Sequence, residues 1–500
     1  MTITLTGTND TPVAVADTNS GLEDSTITGS VATNDSDVDD GATLTYAQTS
    51  AVAGLTINAD GSYSFEASNA AYQHLAEGAT QVVVANYTVT DEHGASAPST
   101  LTITLTGTND TPVAVADTNS GLEDSTITGS VATNDSDVDD GATLTYAQTS
   151  AVAGLTINAD GSYSFEASNA AYQHLAEGAT QVVVANYTVT DEHGASAPST
   201  LTITLTGTND TPVAVADTNS GLEDSTITGS VATNDSDVDD GATLTYAQTS
   251  AVAGLTINAD GSYSFEASNA AYQHLAEGAT QVVVANYTVT DEHGASAPST
   301  LTITLTGTND TPVAVADTNS GLEDSTITGS VATNDSDVDD GATLTYAQTS
   351  AVAGLTINAD GSYSFEASNA AYQHLAEGAT QVVVANYTVT DEHGASAPST
   401  LTITLTGTND TPVAVADTNS GLEDSTITGS VATNDSDVDD GATLTYAQTS
   451  AVAGLTINAD GSYSFEASNA AYQHLAEGAT QVVVANYTVT DEHGASAPRR

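Results

Sequence analysis

The sequence predicts an all-β protein, a linear array of seven-stranded Greek-key β-sandwiches along 500 residues. Three observations carry this. Residues 1–100 recur at 101, 201, 301 and 401; Met1 stands where the second copy has Leu101, and Arg499 and Arg500 stand where the fourth has Ser399 and Thr400. A unit of 100 residues is longer than solenoid repeats of about 20–50 residues and matches an independent domain. Within each unit, short runs rich in Thr, Val and Tyr are separated by Gly, Asn and Asp clusters, as in strands joined by turns.

The strands follow in order. Residues 13–16, after Pro12, make a short first strand, 26–31 a second and 44–47 a third. Residues 55–58 and 62–65 flank Asp60-Gly61, a hairpin signal. Residues 70–75, Ala-Ala-Tyr-Gln-His-Leu, suggest a short helix or helical turn. A long sixth strand covers 82–90. In 100–106, Thr alternates with Leu101, Ile103 and Leu105, which puts the three apolar residues on one face. Seven such strands in about 100 residues form an immunoglobulin-like pattern. The expected core is Tyr46, Tyr63, Phe65, Tyr72, Leu75, Tyr87 and the aliphatics. The copied block starts inside a domain. Residues 1–9 are an orphan final strand and linker; 10–109, 110–209, 210–309 and 310–409 are complete sandwiches; 410–500 is a fifth without its own last strand.

Charge restricts the function. Each block holds thirteen acidic residues and, before the terminal Arg499 and Arg500, no Lys or Arg; the formal charge is −63. Nucleic acid and anionic membrane are excluded as partners, because both need cationic side chains. Like charges strain the folded state and no internal Lys or Arg offsets them, so divalent cations are the expected counter-charge. There is no Cys for disulfides, no Lys for isopeptide links and no apolar run of membrane-spanning length. No signal peptide follows Met1, so export would use a signal outside this chain.

With strand directions alternating, the acids fall at the two ends of a domain. Glu23, Asp24 and Glu77 lie where the chain leaves. Asp35, Asp37, Asp39, Asp40, Asp91 and Glu92 lie where it enters. Asn109 and Asp110 lie in the linker Gly107-Thr108-Asn109-Asp110-Thr111-Pro112. Each junction therefore offers hard oxygen ligands of the kind calcium takes, six to eight at about 2.3–2.6 Å. The expected ligands at the start of the first sandwich are Asn9, Asp10, Asp35, Asp37, Asp39 and Asp91. At the first junction they are Glu23, Asn109, Asp110, Asp135, Asp137, Asp139 and Asp191. The second has Glu123, Asn209, Asp210, Asp235, Asp237, Asp239 and Asp291. The third has Glu223, Asn309, Asp310, Asp335, Asp337, Asp339 and Asp391. The fourth has Glu323, Asn409, Asp410, Asp435, Asp437, Asp439 and Asp491, and Glu423 repeats the pattern in the last sandwich. Asp35, Asp37 and Asp39 alternate, so their carboxylates can converge; an EF-hand is excluded because position twelve of that loop is Tyr46, not Glu. Asp60 belongs to its turn, whereas Asp17, Asp24, Glu66 and Glu92 fit a solvated loop or a ligand equally.

Segments 54–63, 71–78 and 87–91, closing on Gly107-Thr108-Asn109-Asp110, resemble the VCBS repeat. Residues 29–39, Gly-Ser-Val-Ala-Thr-Asn-Asp-Ser-Asp-Val-Asp, resemble the cadherin-like repeats of bacterial RTX adhesins, and Asn109-Asp110-Thr111-Pro112 resembles the calcium-binding linker of cadherins. The resemblance implies calcium-rigidified extender domains of a type I secreted adhesin on the bacterial cell surface, supporting adhesion and biofilm. The retention module, ligand-binding domain, glycine-rich nonapeptides and secretion signal of such adhesins are not in this sequence, which reads as the shaft.

Catalysis is not expected. The two His of each block, His74 beside Tyr72 and His93 in an acidic loop, stand without a Cys nucleophile, a phosphate loop or an HExxH motif. The alternative to an extender is a self-assembling fibre. Residues 2–6 are a spare last strand and the fifth sandwich lacks one, so one chain could complete the next head to tail.

Overall fold

A computed structural model describes residues 1–499. All regular structure among them is β. The first repeat shows the plan. Its strands are β1 (Asp17–Leu22), β2 (Thr26–Ser30), β3 (Thr45–Gln48), β4 (Leu55–Ile57), β5 (Ser62–Glu66), β6 (Thr80–Thr90) and β7 (Ser96–Thr106). One sheet has the order β1-β7-β6-β3 and the other β2-β5-β4. The seven-stranded sandwich expected from the sequence is present, with two corrections.

The first concerns the opening strand. Residues 13–16 do not form it; Val13 makes only an isolated bridge to Ser36. The strand is β1, which pairs in parallel with β7 from Asp17↔Leu101 to Leu22↔Thr106. Its sequence, Asp-Thr-Asn-Ser-Gly-Leu, has weak intrinsic strand preference. The free edge of β7 recruits it, and its inward residues find partners on β6 and β5. The Tyr87 hydroxyl donates to Asp17 at 2.7 Å, and Asn19 donates to the Tyr63 hydroxyl at 2.8 Å. The second concerns residues 70–75, where of the two alternatives the short helix does not form and 70–74 are turns. Tyr72 and Leu75 point into the core, and the Tyr72 hydroxyl donates to the Ala53 carbonyl, so tertiary contacts rather than a helical ladder hold this segment.

The remaining strands follow local chemistry. In the β4–β5 hairpin the Asn58 N–H donates to the Ser62 carbonyl, and Gly61 takes φ 86°, which favours glycine. β6 and β7 pair antiparallel over their whole length, Thr80↔Thr106 to Thr90↔Ser96. Ala85, Tyr87 and Val89 of β6 and Leu101, Ile103 and Leu105 of β7 are almost fully buried. Phe65 packs on Tyr72 with ring centroids 5.2 Å apart, and Tyr46 on Tyr87 at 6.2 Å.

The chain divides into two units. Residues 1–215, 233–247 and 288–299 form one; residues 216–232, 248–287 and 300–499 lie in the other. The first unit holds the first and second sandwiches. The second holds the fourth and fifth. The fifth is reduced. Its β7 equivalent is Ser496–Arg499. Residues 417–422 and 480–486, the counterparts of β1 and of the first part of β6, form no strand.

Candidate metal centre

β1 ends at Leu22 and the next residue, Glu23, turns inward. Its N–H donates to the Thr106 carbonyl at the end of β7. Its side chain is wholly buried in the first sandwich. The carboxylate accepts from the N–H of Leu75 at 3.3 Å and of Thr108 at 2.8 Å. One buried acid thus ties together the β1 end, the 67–79 segment and the linker. The linker crosses close beneath the 75–76 backbone. A Cβ on Gly107 would lie 2.3 Å from the Ala76 carbonyl oxygen.

Three residues later the linker reaches the next sandwich. The Asp110 N–H donates to Asp139 Oδ2 at 3.0 Å. Carboxylate oxygens of Glu23, Asp110 and Asp139 then lie within 4.8 Å of one another, and the same trio recurs as Glu123, Asp210 and Asp239, as Glu223, Asp310 and Asp339, and as Glu323, Asp410 and Asp439. Asp139 is 7% exposed, and its Oδ1, together with Asp110 Oδ2 and Asp137 Oδ2, is buried without a hydrogen-bond partner. Burial raises the carboxyls of Glu23, Asp110 and Asp139 above their usual range, and the neighbouring carboxylates raise them further. Asp410 is pushed up to about 6 by burial, then by Asp324, Asp439 and Glu323.

Unpartnered buried oxygens of one sign are costly, since two unit charges 4 Å apart near a protein surface repel by about 4 kcal/mol. A single cation relieves this. Oxygens bound to one calcium at about 2.4 Å lie no more than about 4.8 Å apart, so the trio fits the donor set of a hard cation.

The other four residues expected at the junction each make a hydrogen bond outside the trio, while Asp135 Oδ2 and Asp137 Oδ2 stay buried without a partner. Asn109 donates its amide to Asp191 Oδ2 at 2.9 Å. Asp191 Oδ1 also accepts from the N–H groups of His193, Gly194 and Ala195 and caps its own loop. The Asn9 amide, with the same loop donors, holds Asp91 below the usual carboxylate range. Asp135 faces into its own sandwich and accepts from the Val115 N–H at 2.6 Å. Asp137 Oδ1 accepts from the Asp139 N–H, which shapes the loop. Asp60 accepts from Ser62 within its turn. Glu92 accepts from the Thr43 N–H, Asp17 from Tyr87 and Glu66 from Thr26, so each has a structural partner. In the first sandwich Asp10 N donates to Asp39 Oδ2 as in the later copies.

Three junction contacts escaped the sequence reading. His193 Nδ1 meets Glu77 Oε2 at 2.9 Å, repeated at His293–Glu177, His393–Glu277 and His493–Glu377. The Asp140 N–H donates to the His74 carbonyl. The Thr108 hydroxyl donates to Asp24 at 2.7 Å. The first has a sequence signal: Glu77 lies at the leaving end of one domain, and His193 follows Asp191 and Glu192 at the entering end of the next. The backbone contact had no side-chain signal.

The comparisons agree with this architecture. A family model of the bacterial cadherin-like domain matches residues 9–107, 109–207, 209–307, 309–407 and 409–500. The protein is a tandem array of cadherin-like β-sandwiches, and the chain belongs to the bacterial cadherin-like domain family. Among solved structures, protocadherin gamma B2 extracellular cadherin domains 1–5 align with TM-score 0.50 at 16% identity, over 91% of this chain and 92% of that one. The protocadherin gamma B4 extracellular domain gives 0.51 at 15% identity, over 98% and 83%. At this identity the likeness is one of fold. No curated protein sequence matches.

Proposed function

We propose that this chain is a calcium-rigidified extender of a bacterial extracellular adhesin, a spacer that supports cell adhesion and biofilm. One observation carries the reading: the four junction trios, each with buried carboxylate oxygens that lack partners, in repeats that contain no Lys or Arg before the terminal Arg499 and Arg500. Glu23, Asp110 and Asp139 would hold the ion, with Asp137 Oδ2 beside them. These residues come from one sandwich, the linker and the next sandwich. A bound cation cancels their mutual repulsion and fixes the linker. Without it the carboxylates push the domains apart and the linker gains freedom. The VCBS and RTX resemblance supports a type I secreted, cell-surface setting. Small-angle scattering with and without chelator, paired with metal analysis, tests the reading: the maximum dimension should change and calcium should be retained at the junctions. An unchanged dimension in chelator would sink it.

A further inference from the structure

β1 and β7 are the first and last strands of a sandwich, and they are parallel neighbours. Tension along the chain enters before β1 and leaves after β7. On parallel strands these points lie at opposite ends of the shared ladder. The load therefore acts along the strands, and all rungs from Asp17↔Leu101 to Leu22↔Thr106 bear it together. An antiparallel terminal pair would instead be loaded one rung at a time.

We propose that the parallel β1–β7 ladder is a mechanical clamp, which makes each complete sandwich a load-bearing element that yields by shear. Both ends of the ladder are secured. At the start, the Tyr87 hydroxyl donates to the Val15 carbonyl and to Asp17. At the finish, the Glu23 N–H donates to the Thr106 carbonyl and the Gly107 N–H to the Ala79 carbonyl. The ladder recurs at 117–122 with 201–206, at 217–222 with 301–306 and at 317–322 with 401–406. The fifth sandwich lacks it, since 417–422 form no strand. The molecule thus contains its own comparison. The clamp uses backbone hydrogen bonds within one sandwich, so it goes beyond the calcium reading and does not depend on it.

Single-molecule stretching of the full chain tests the clamp. The expected trace has four high-force unfolding events, each freeing about 90 residues or roughly 300 Å of chain, with the fifth sandwich yielding first at lower force. Replacing Arg499-Arg500 with Ser-Thr-Leu-Thr-Ile-Thr-Leu-Thr-Gly, the sequence at 399–407, should raise the count to five. Asn119→Pro removes an N–H on the same side of the strand as that of Glu123, which donates to the Thr206 carbonyl, and should cost one high-force event. Thr128→Pro, in the other sheet, should leave four. The high-force events should persist in chelator. Their disappearance in chelator would assign the resistance to bound cation and overturn the clamp. So would four events no stronger than the fifth, or a fifth that stays weak after the extension.

Discussion

At the residue scale the junction turns on a buried glutamate with no basic partner. Glu123 accepts from the N–H groups of Leu175 and Thr208, which offsets part of its burial. Its remaining demand is charge. Glu123→Gln keeps one acceptor oxygen and removes that charge. Calcium titration of the variant should show one of four equivalent junctions weakened by about tenfold or more, or about 1.4 kcal/mol, with the other three unchanged. The raised carboxyls also set a pH dependence. The folded, metal-free junction holds protons that the unfolded chain has released. Its stability is therefore greatest below the ordinary carboxylate value and falls as pH rises, over a window reaching about 6 at Asp410. Thermal melts in chelator should show a lower midpoint at pH 7 than at pH 4.5. Calcium needs the deprotonated acids, so it should reverse the order.

At the scale of elements the linker and β1 decide the geometry. Gly207 runs under the backbone of the preceding segment, where a Cβ would lie 2.3 Å from the Ala176 carbonyl oxygen and 2.4 Å from that of Leu175. Backbone cannot move aside as a flexible side chain can. Gly207→Ala should cost the second sandwich about 1–3 kcal/mol and appear in urea unfolding as an early phase from one repeat. An equal substitution at Gly194, which has open space around it, tests only the cost of its φ of 97°. β1 teaches the complementary lesson. Nothing in Asp-Thr-Asn-Ser-Gly-Leu marks a strand, and the more apolar 13–16 segment looked better. The edge of β7 and the hydroxyls of Tyr63 and Tyr87 made the choice.

At the scale of the whole molecule, charge is the main burden on folding. A chain of formal charge −63 with two basic residues has almost no internal compensation. In chelator its melting midpoint should rise steadily with sodium chloride, as the Debye length shrinks to about 10 Å at 0.1 M and about 3 Å at 1 M. Millimolar calcium should match that gain at far lower ionic strength, because it acts on the buried oxygens rather than on the general field. Equal effects of calcium and sodium at equal ionic strength would argue for screening alone.

The sequence by itself determined the repeat, the all-β class, the strands from β2 to β7 to within a few residues, and the gathering of acids at domain ends. These follow from periodicity, turn chemistry and composition, which are local properties. It also named Glu23, Asp110 and Asp139 among the junction residues. Only the tertiary structure decided which expected ligands converge. Asn109, Asp135 and Asp191 also carry oxygens, but Asn109 and Asp191 bond each other and Asp135 bonds the Val115 N–H of its own sandwich. The 70–75 segment became turns and β1 became a strand for the same reason: packing across the sandwich outweighs local preference, and a sequence read along its length cannot weigh contacts that join residues 17 and 101.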